Sequence, residues 1–401
     1  MKSNEIPEQR MMKACPRVQR RRNRQSGFSL VELMVAITLG LLLTAGMIQL
    51  FSSTKVTFQT NDALARVQEN GRFALELLKR ELREAGTSGF CAGRLDINNH
   101  LREDCAGGGV DFFDPNRAVV GWEFGGTGSN EAYTIPEDLD PGSTSGGNWE
   151  SSATSGSSLP SRLQGLVAPG SDVLVVRRLE PIPGLTADGV NNPNQASINL
   201  NGSHGLPDDA IVLVTNCANA TDLFQNRSNS NASTFSAGSG SCSNPGPGND
   251  NSVDWSTSYD GSMQAFRVRI VAYYIGVNPN TGQPGLYRLD MSNGTVAAAQ
   301  EELVEGAESL QILYGFSEAA PAGDGQSINS WLTAEQIPAD GWGQVIAMRV
   351  GLTFRSSEIA DGDRTVQVFN LSGANISSPG DGRLRSSFSS TVALRNRVIV
   401  I

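Results

Sequence analysis

Histidine is nearly missing from this chain: His100 and His204 are the only two in 401 residues. That leaves little side-chain acid–base chemistry near neutral pH. No GxSxG, no phosphate-binding P-loop and no HExxH occurs, so none of the common signatures for acyl transfer, nucleotide binding or zinc hydrolysis is present. There is no CxxC either, which together with the scarcity of histidine argues against a zinc site. Proline is absent from residues 28–86, so nothing there interrupts a helix. Ionisable side chains are absent from Phe28 to Thr54, with one exception, Glu32. A carboxylate at the centre of a bilayer costs roughly 2.5–3.5 kcal/mol on insertion scales. Something must compensate for Glu32.

What is present is distributed unevenly. Residues 1–27 hold eight basic side chains and two acidic ones; the remainder holds 23 basic against 39 acidic. A strongly acidic body argues against nucleic acid as the main partner. A basic head followed by an apolar run reads as a membrane-targeting start, with the positive charge held on the cytoplasmic side. The apolar run from Phe28 reaches at least Phe51, longer than the core of a cleaved secretory signal and long enough to span a bilayer. Past it, Leu64, Val67, Gly71, Ala74, Leu78 and Leu82 recur at three- and four-residue steps, with Arg66, Glu69, Arg72, Glu76, Lys79, Arg80, Glu81, Arg83 and Glu84 filling the other positions. The pattern predicts one helix of nearly 60 residues, stopped by Gly86 and Gly89. It is apolar all round in residues 28–54 and amphipathic in residues 55–86, where it packs on the following domain.

Beyond the helix, residues 87–401 read as a β-rich domain. Strands are expected in 172–179, 210–217, 265–276, 285–289, 310–316, 344–356, 364–371 and 388–401. In the third of these, Phe266, Val268, Ile270 and Ala272 share one face, and Arg267 and Arg269 the other, as in a half-buried antiparallel strand. The polar, Gly/Ser-rich stretches near 123–165 and 219–262 read as loop insertions. The expected fold is therefore α+β: a long N-terminal helix packed on an antiparallel β-rich domain with long loops. Of five cysteines, Cys15 lies in the basic head. Cys91, Cys105, Cys217 and Cys242 lie beyond the anchor, an even number suited to an oxidising compartment. Three pairings are open; 91–105 and 217–242 are favoured because each encloses a short Gly-rich loop. No cofactor is expected. The Asp/Asn/Gly clusters at 136–142 and 244–254 keep calcium open as a candidate, although neither has EF-hand spacing.

The stretch GFSLVELMVAI, Gly27–Ile37, resembles the class III signal of type IV pilins and pseudopilins. In that resemblance Gly27 is the last leader residue, Phe28 the first mature residue and Glu32 the fifth. It implies that residues 1–27 are removed by a prepilin peptidase, which then N-methylates Phe28. It also implies that in an assembled pilus Glu32 meets the Phe28 amine of a neighbouring subunit and so offsets its own burial. Four further stretches, 171–178, 222–224, 302–315 and 385–397, are similar to the PilW-type minor pilins. Pilin helices often carry proline near the twenty-second mature position. Gln49 stands there in this chain, so any kink would rest on Gly40 or Gly46. The resemblance implies a structural, non-catalytic subunit of a type IV pilus, acting in assembly or initiation. Its partners are other minor and major pilins, the inner membrane and the pilus assembly machinery. The bulk faces the periplasm before reaching the cell surface. The rivals are a large minor pseudopilin of a type II secretion system, a pilus-tip adhesin or ligand-binding subunit, and an anchored periplasmic enzyme or sugar-binding protein.

Overall fold

The computed structural model describes residues 27–86, 96–102, 113–144, 146–153, 158–238, 247–250, 253–293, 300–318, 327–359, 364–394 and 396. One helix, α1, runs from Leu30 to Glu84 without a break, including through Gly40 and Gly46. The chain divides into two compact units at Thr57/Phe58. The first contains the apolar half of α1. The second contains the amphipathic half and all the strands.

Within the second unit, Val67, Gly71, Ala74, Leu78 and Leu82 are buried, as their spacing predicts. Leu64 falls outside the contact and is 36% exposed. At Gly71 the helix meets the ring of Phe388 so closely that a Cβ would lie 2.1 Å from Cε2. Only glycine allows that approach. The helix ends at Gly86, which takes φ +70° and donates its N–H to the Arg177 carbonyl at 2.8 Å. The Asn396 amide donates to the carbonyls of Arg83 and Ala85 at 3.2 and 3.1 Å, satisfying groups that a helix end leaves open. Glu81, which belongs to the polar set by sequence, is instead buried. Its carboxylate pairs with Arg178 at 2.7 Å.

Among the described residues the largest sheet has nine strands, in the order Asn98–Asn99, Thr221–Gln225, Ile211–Thr215, Gln264–Val277, Val173–Pro181, Val119–Phe124 and Trp149–Glu150, with Pro284–Asp290 and Glu301–Glu305 attached through Gln264–Val277. Gln264–Val277 is its spine. It pairs antiparallel with Val173–Pro181 along one edge, and with Ile211–Thr215 and then Pro284–Asp290 along the other. A four-stranded antiparallel sheet runs Ser330–Leu332, Ala307–Phe316, Val345–Ile359 and Arg383–Ala393. Two short pairings are parallel, Asn98–Asn99 on Thr221–Gln225 and Ala374–Ser377 on Ala132–Thr134. The architecture is α+β, with antiparallel sheets dominant.

The expected strands are present, with shifted ends. The seventh begins only at Val368. The last spans Arg383–Ala393, and 397–401 lie outside the described residues. The stretches read as loop insertions hold more structure than that. Phe124, Ile135, Leu139, Trp149, Leu159 and Leu163, from 123–165, are buried in the main core. Phe224, Phe235, Trp255 and Tyr259, from 219–262, build a second core with Val212 and Val214. Ile211 and Leu213, alternating with those valines, face the main core, so one strand serves two cores by its two-residue period.

Candidate functional site at the helix start

The segment singled out by sequence, Gly27 to Glu32, has a simple local geometry. Gly27, Phe28 and Ser29 precede the helix and are exposed, with Phe28 82% accessible. Nothing lies within 4 Å of where a Gly27 Cβ would stand. Ser29 caps α1: its Oγ accepts the Glu32 N–H at 3.1 Å and its carbonyl accepts the Leu33 N–H at 3.1 Å. This is the forward half of a capping box, legible in the Ser-x-x-Glu spacing of Ser29 and Glu32 but passed over by the sequence reading. The reverse half is not made. The Glu32 carboxylate accepts nothing from the Ser29 amide and has no ion pair among the described residues. Its place in the first turn is favourable to the helix dipole.

Four threonine hydroxyls nearby are satisfied within the helix. The hydroxyls of Thr38, Thr44, Thr54 and Thr57 donate to the carbonyls of Val35, Gly40, Leu50 and Ser53 at 2.7–3.0 Å. Glu32 is left as the one ionisable group of residues 28–54, without a partner of its own. By length and composition α1 can cross a membrane, and it is the one described helix that can.

The remaining candidates are structural or lie out of view. Cys217 is disulfide-bonded and sits at φ +56° in the turn between Ile211–Thr215 and Thr221–Gln225. Cys91, Cys105 and Cys242 lie outside the described residues, and so do the pairings 91–105 and 217–242. In the 136–142 cluster, Asp140 Oδ1 accepts the Gly142 N–H and caps the short helix Pro141–Ser143. Among the described residues no group of three or more His, Cys, Asp and Glu is placed to hold a metal. Both histidines are buried. His100 Nε2 lies 2.7 Å from Asp222 Oδ1; the same carboxylate accepts Tyr259 Oη at 2.5 Å and Ser256 Oγ at 3.0 Å. Ser256, itself exposed, thus bonds the aspartate and not the imidazole, so the buried Asp222 is a hydrogen-bond hub, and the three are not a nucleophile with its base. His204 bonds Ser228 Oγ at 3.1 Å, and burial lowers its pKa.

Residues 22–48 match the prokaryotic N-terminal methylation motif, and residues 272–396 match the family of type IV pilus-assembly protein W. Over these two segments the chain is similar to the type IV pilins of the PilW type. The first match contains Gly27, Phe28 and Glu32. The second contains the 302–315 stretch and nearly all of 385–397. A solved type IV-like pilin from Thermus thermophilus is 18% identical over 33% of this chain and 70% of its own length, with a TM-score of 0.21. No curated protein matches the chain. Proteins with a methylation motif of this kind are processed by a prepilin peptidase, and pilin families are structural.

Proposed function

We propose that this protein is a minor pilin that helps to initiate type IV pilus assembly. It is cleaved after Gly27, N-methylated on Phe28 and held in the inner membrane with its β-rich unit in the periplasm. The basic head supports that orientation, since eight basic residues precede Phe28 and such charge stays cytoplasmic. The observation that carries the reading is Glu32: an exposed carboxylate, unpartnered among the described residues, in the otherwise apolar half of α1. The amine released at Phe28 by cleavage is the matching cation, and the one on the neighbouring subunit is the one to pair with it. Pairing offsets most of the cost of burying either group, and it fixes the axial register of the two helices as a buried polar residue does in a coiled coil. Its mature length, bulky for a repeating shaft subunit, suits a position where assembly begins.

Counting pili by electron microscopy tests the reading. Deleting the chain should leave few pili per cell, and wild-type complementation should restore them. Complementation with Glu32→Ala should not. Full restoration by Glu32→Ala would defeat the pairing, and normal piliation in the deletion strain would defeat the initiation role.

A further inference from the structure

The two main sheets are joined by the short run Gly170–Asp172. The Asp172 N–H donates to the Leu310 carbonyl at 2.8 Å, the Leu310 N–H to Ser171 Oγ at 2.9 Å, and Gln311 Nε2 to the Gly170 carbonyl at 2.9 Å. The Asp172 carboxylate finishes the junction. Its Oδ1 accepts the Phe124 N–H of the nine-stranded sheet at 3.2 Å, and its Oδ2 the Ile312 N–H of the four-stranded sheet at 2.8 Å. A second carboxyl is buried beside it. Glu123 lies beside Asp172 on the paired strand, next to the Trp122–Val173 register pair, and its Oε1 accepts Thr127 Oγ at 3.3 Å. The residues facing this pair are Thr127 and Glu131 from the turn after Val119–Phe124, and Tyr314 from Ala307–Phe316. Among the described residues neither carboxyl has a salt bridge to a cation.

Two carboxylates in one dry site cannot both be ionised. Asp172 takes two backbone N–H donors, which favour its charged form. Glu123 has one weak hydroxyl donor and an Oε2 with no partner, which favour its acid form. We propose that Glu123 and Asp172 are a proton-sharing clasp across the sheet junction, and that removal of the shared proton in alkaline medium loosens Ala307–Phe316 from Gly170–Asp172. The balance is one proton, passed from the Glu123 carboxyl to solvent. Burial raises both pKa values above the ordinary carboxylate range; Asp172 raises that of Glu123 further, whereas Glu123 lowers that of Asp172. Groups of this kind stabilise the fold fully below their unfolded pKa and lose that contribution as pH rises through the folded one.

The test uses the full chain in detergent. Hydrogen exchange of peptides covering 307–316 is followed from pH 6.5 to 9 and corrected for intrinsic chemistry. That window lies above the range where His204 titrates and below that of the tyrosines. The clasp predicts that opening rises by at least about tenfold across the window in the wild type. It predicts a flat profile in Glu123→Gln, a neutral isostere of the acid, whose comparison subtracts every other titrating group. Infrared spectroscopy of the wild type should show a protonated carboxylic acid at pH 7 that titrates with the exchange. This readout stands even if the variant does not fold. Absence of that acid at pH 7, or an unchanged profile in Glu123→Gln, would overturn the clasp.

Discussion

Glu32 and Glu81 stand on the same helix in opposite circumstances. Glu81 is buried, and the chain supplies its partners: Arg178 at 2.7 Å, and Tyr273, whose pKa is raised by burial and by this carboxylate. Burial works against the Arg178 charge, but Glu81 and Glu180 outweigh it and raise its pKa. Glu32 is exposed, lies in the apolar half and has no partner. The difference shows which carboxylate serves the fold and which serves an encounter. A buried charge that finds its counter-ion in its own chain completes a domain. A charge placed where hydrocarbon is the surrounding medium, with no counter-ion of its own, calls for one from another molecule.

The sharpest way to break the comparison is to block creation of the cation that Glu32 needs. Gly27→Val places a branched side chain beside the scissile bond. It should leave a precursor heavier by the 27 leader residues, visible by immunoblot. A mature-sized band would separate Glu32 from any processed amine.

The amphipathic half is tested by its closest contact. Gly71→Ala drives a methyl into Phe388 and should cost about 1–3 kcal/mol in the unfolding of the second unit. Thermal unfolding of the full chain in detergent reads it. Glu81→Gln should cost about 1–2 kcal/mol by the same measurement, because Arg178 keeps Glu180 at 3.2 Å and Glu84 at 3.4 Å after losing its best partner. An unchanged Tm would mean that Glu81 is no more structural than Glu32.

The smallest effect is a pH dependence in the buried network of Arg385, Glu308 and Asp381. Burial would raise the Asp381 pKa, but the Arg385 guanidinium, at 2.6 and 2.9 Å, holds it down at about 2. The stability Asp381 contributes is present above its ordinary pKa of 3.8 and is lost as pH falls toward about 2. Asp381→Asn should therefore be less stable than wild type at pH 6, with the gap closing toward pH 2. A gap independent of pH would assign the effect to packing.

The helix and eight of the strands were legible because their apolar residues repeat at 3.6 or 2 and little else competes. Val119–Phe124 was not, since Gly121 and Glu123 interrupt its apolar run although all six residues are buried. Thr221–Gln225 was hidden for a related reason. Thr221, Asp222 and Gln225 look like surface composition, yet each is buried with its side-chain hydrogen bonds met, Thr221 by Thr215, Asp222 by His100, Tyr259 and Ser256, and Gln225 by the Asp209 carbonyl and the Gly248 N–H. Polar side chains that satisfy one another across the fold leave no periodic trace. The same blindness put Glu81 on the polar face of α1. At the helix start Gly27, Phe28 and Glu32 are legible through the motif, whereas the Ser29 cap is masked by the apolar run that follows it.

The most direct test of the account compares Glu32→Ala with wild type in two fractions, sheared pili and membranes. Removing the carboxylate deletes an unfavourable group from the bilayer, so membrane insertion should be equal or easier. Cleavage after Gly27 should persist, and Tm of the second unit should not change. The ratio of subunit in pili to subunit in membranes should fall severalfold, because the neighbour's Phe28 amine is then the buried charge without a partner. Glu32→Asp, with a shorter reach, should fall between. A wild-type ratio for Glu32→Ala would contradict the account, since the one unpartnered carboxylate of the apolar half would then have no encounter to serve.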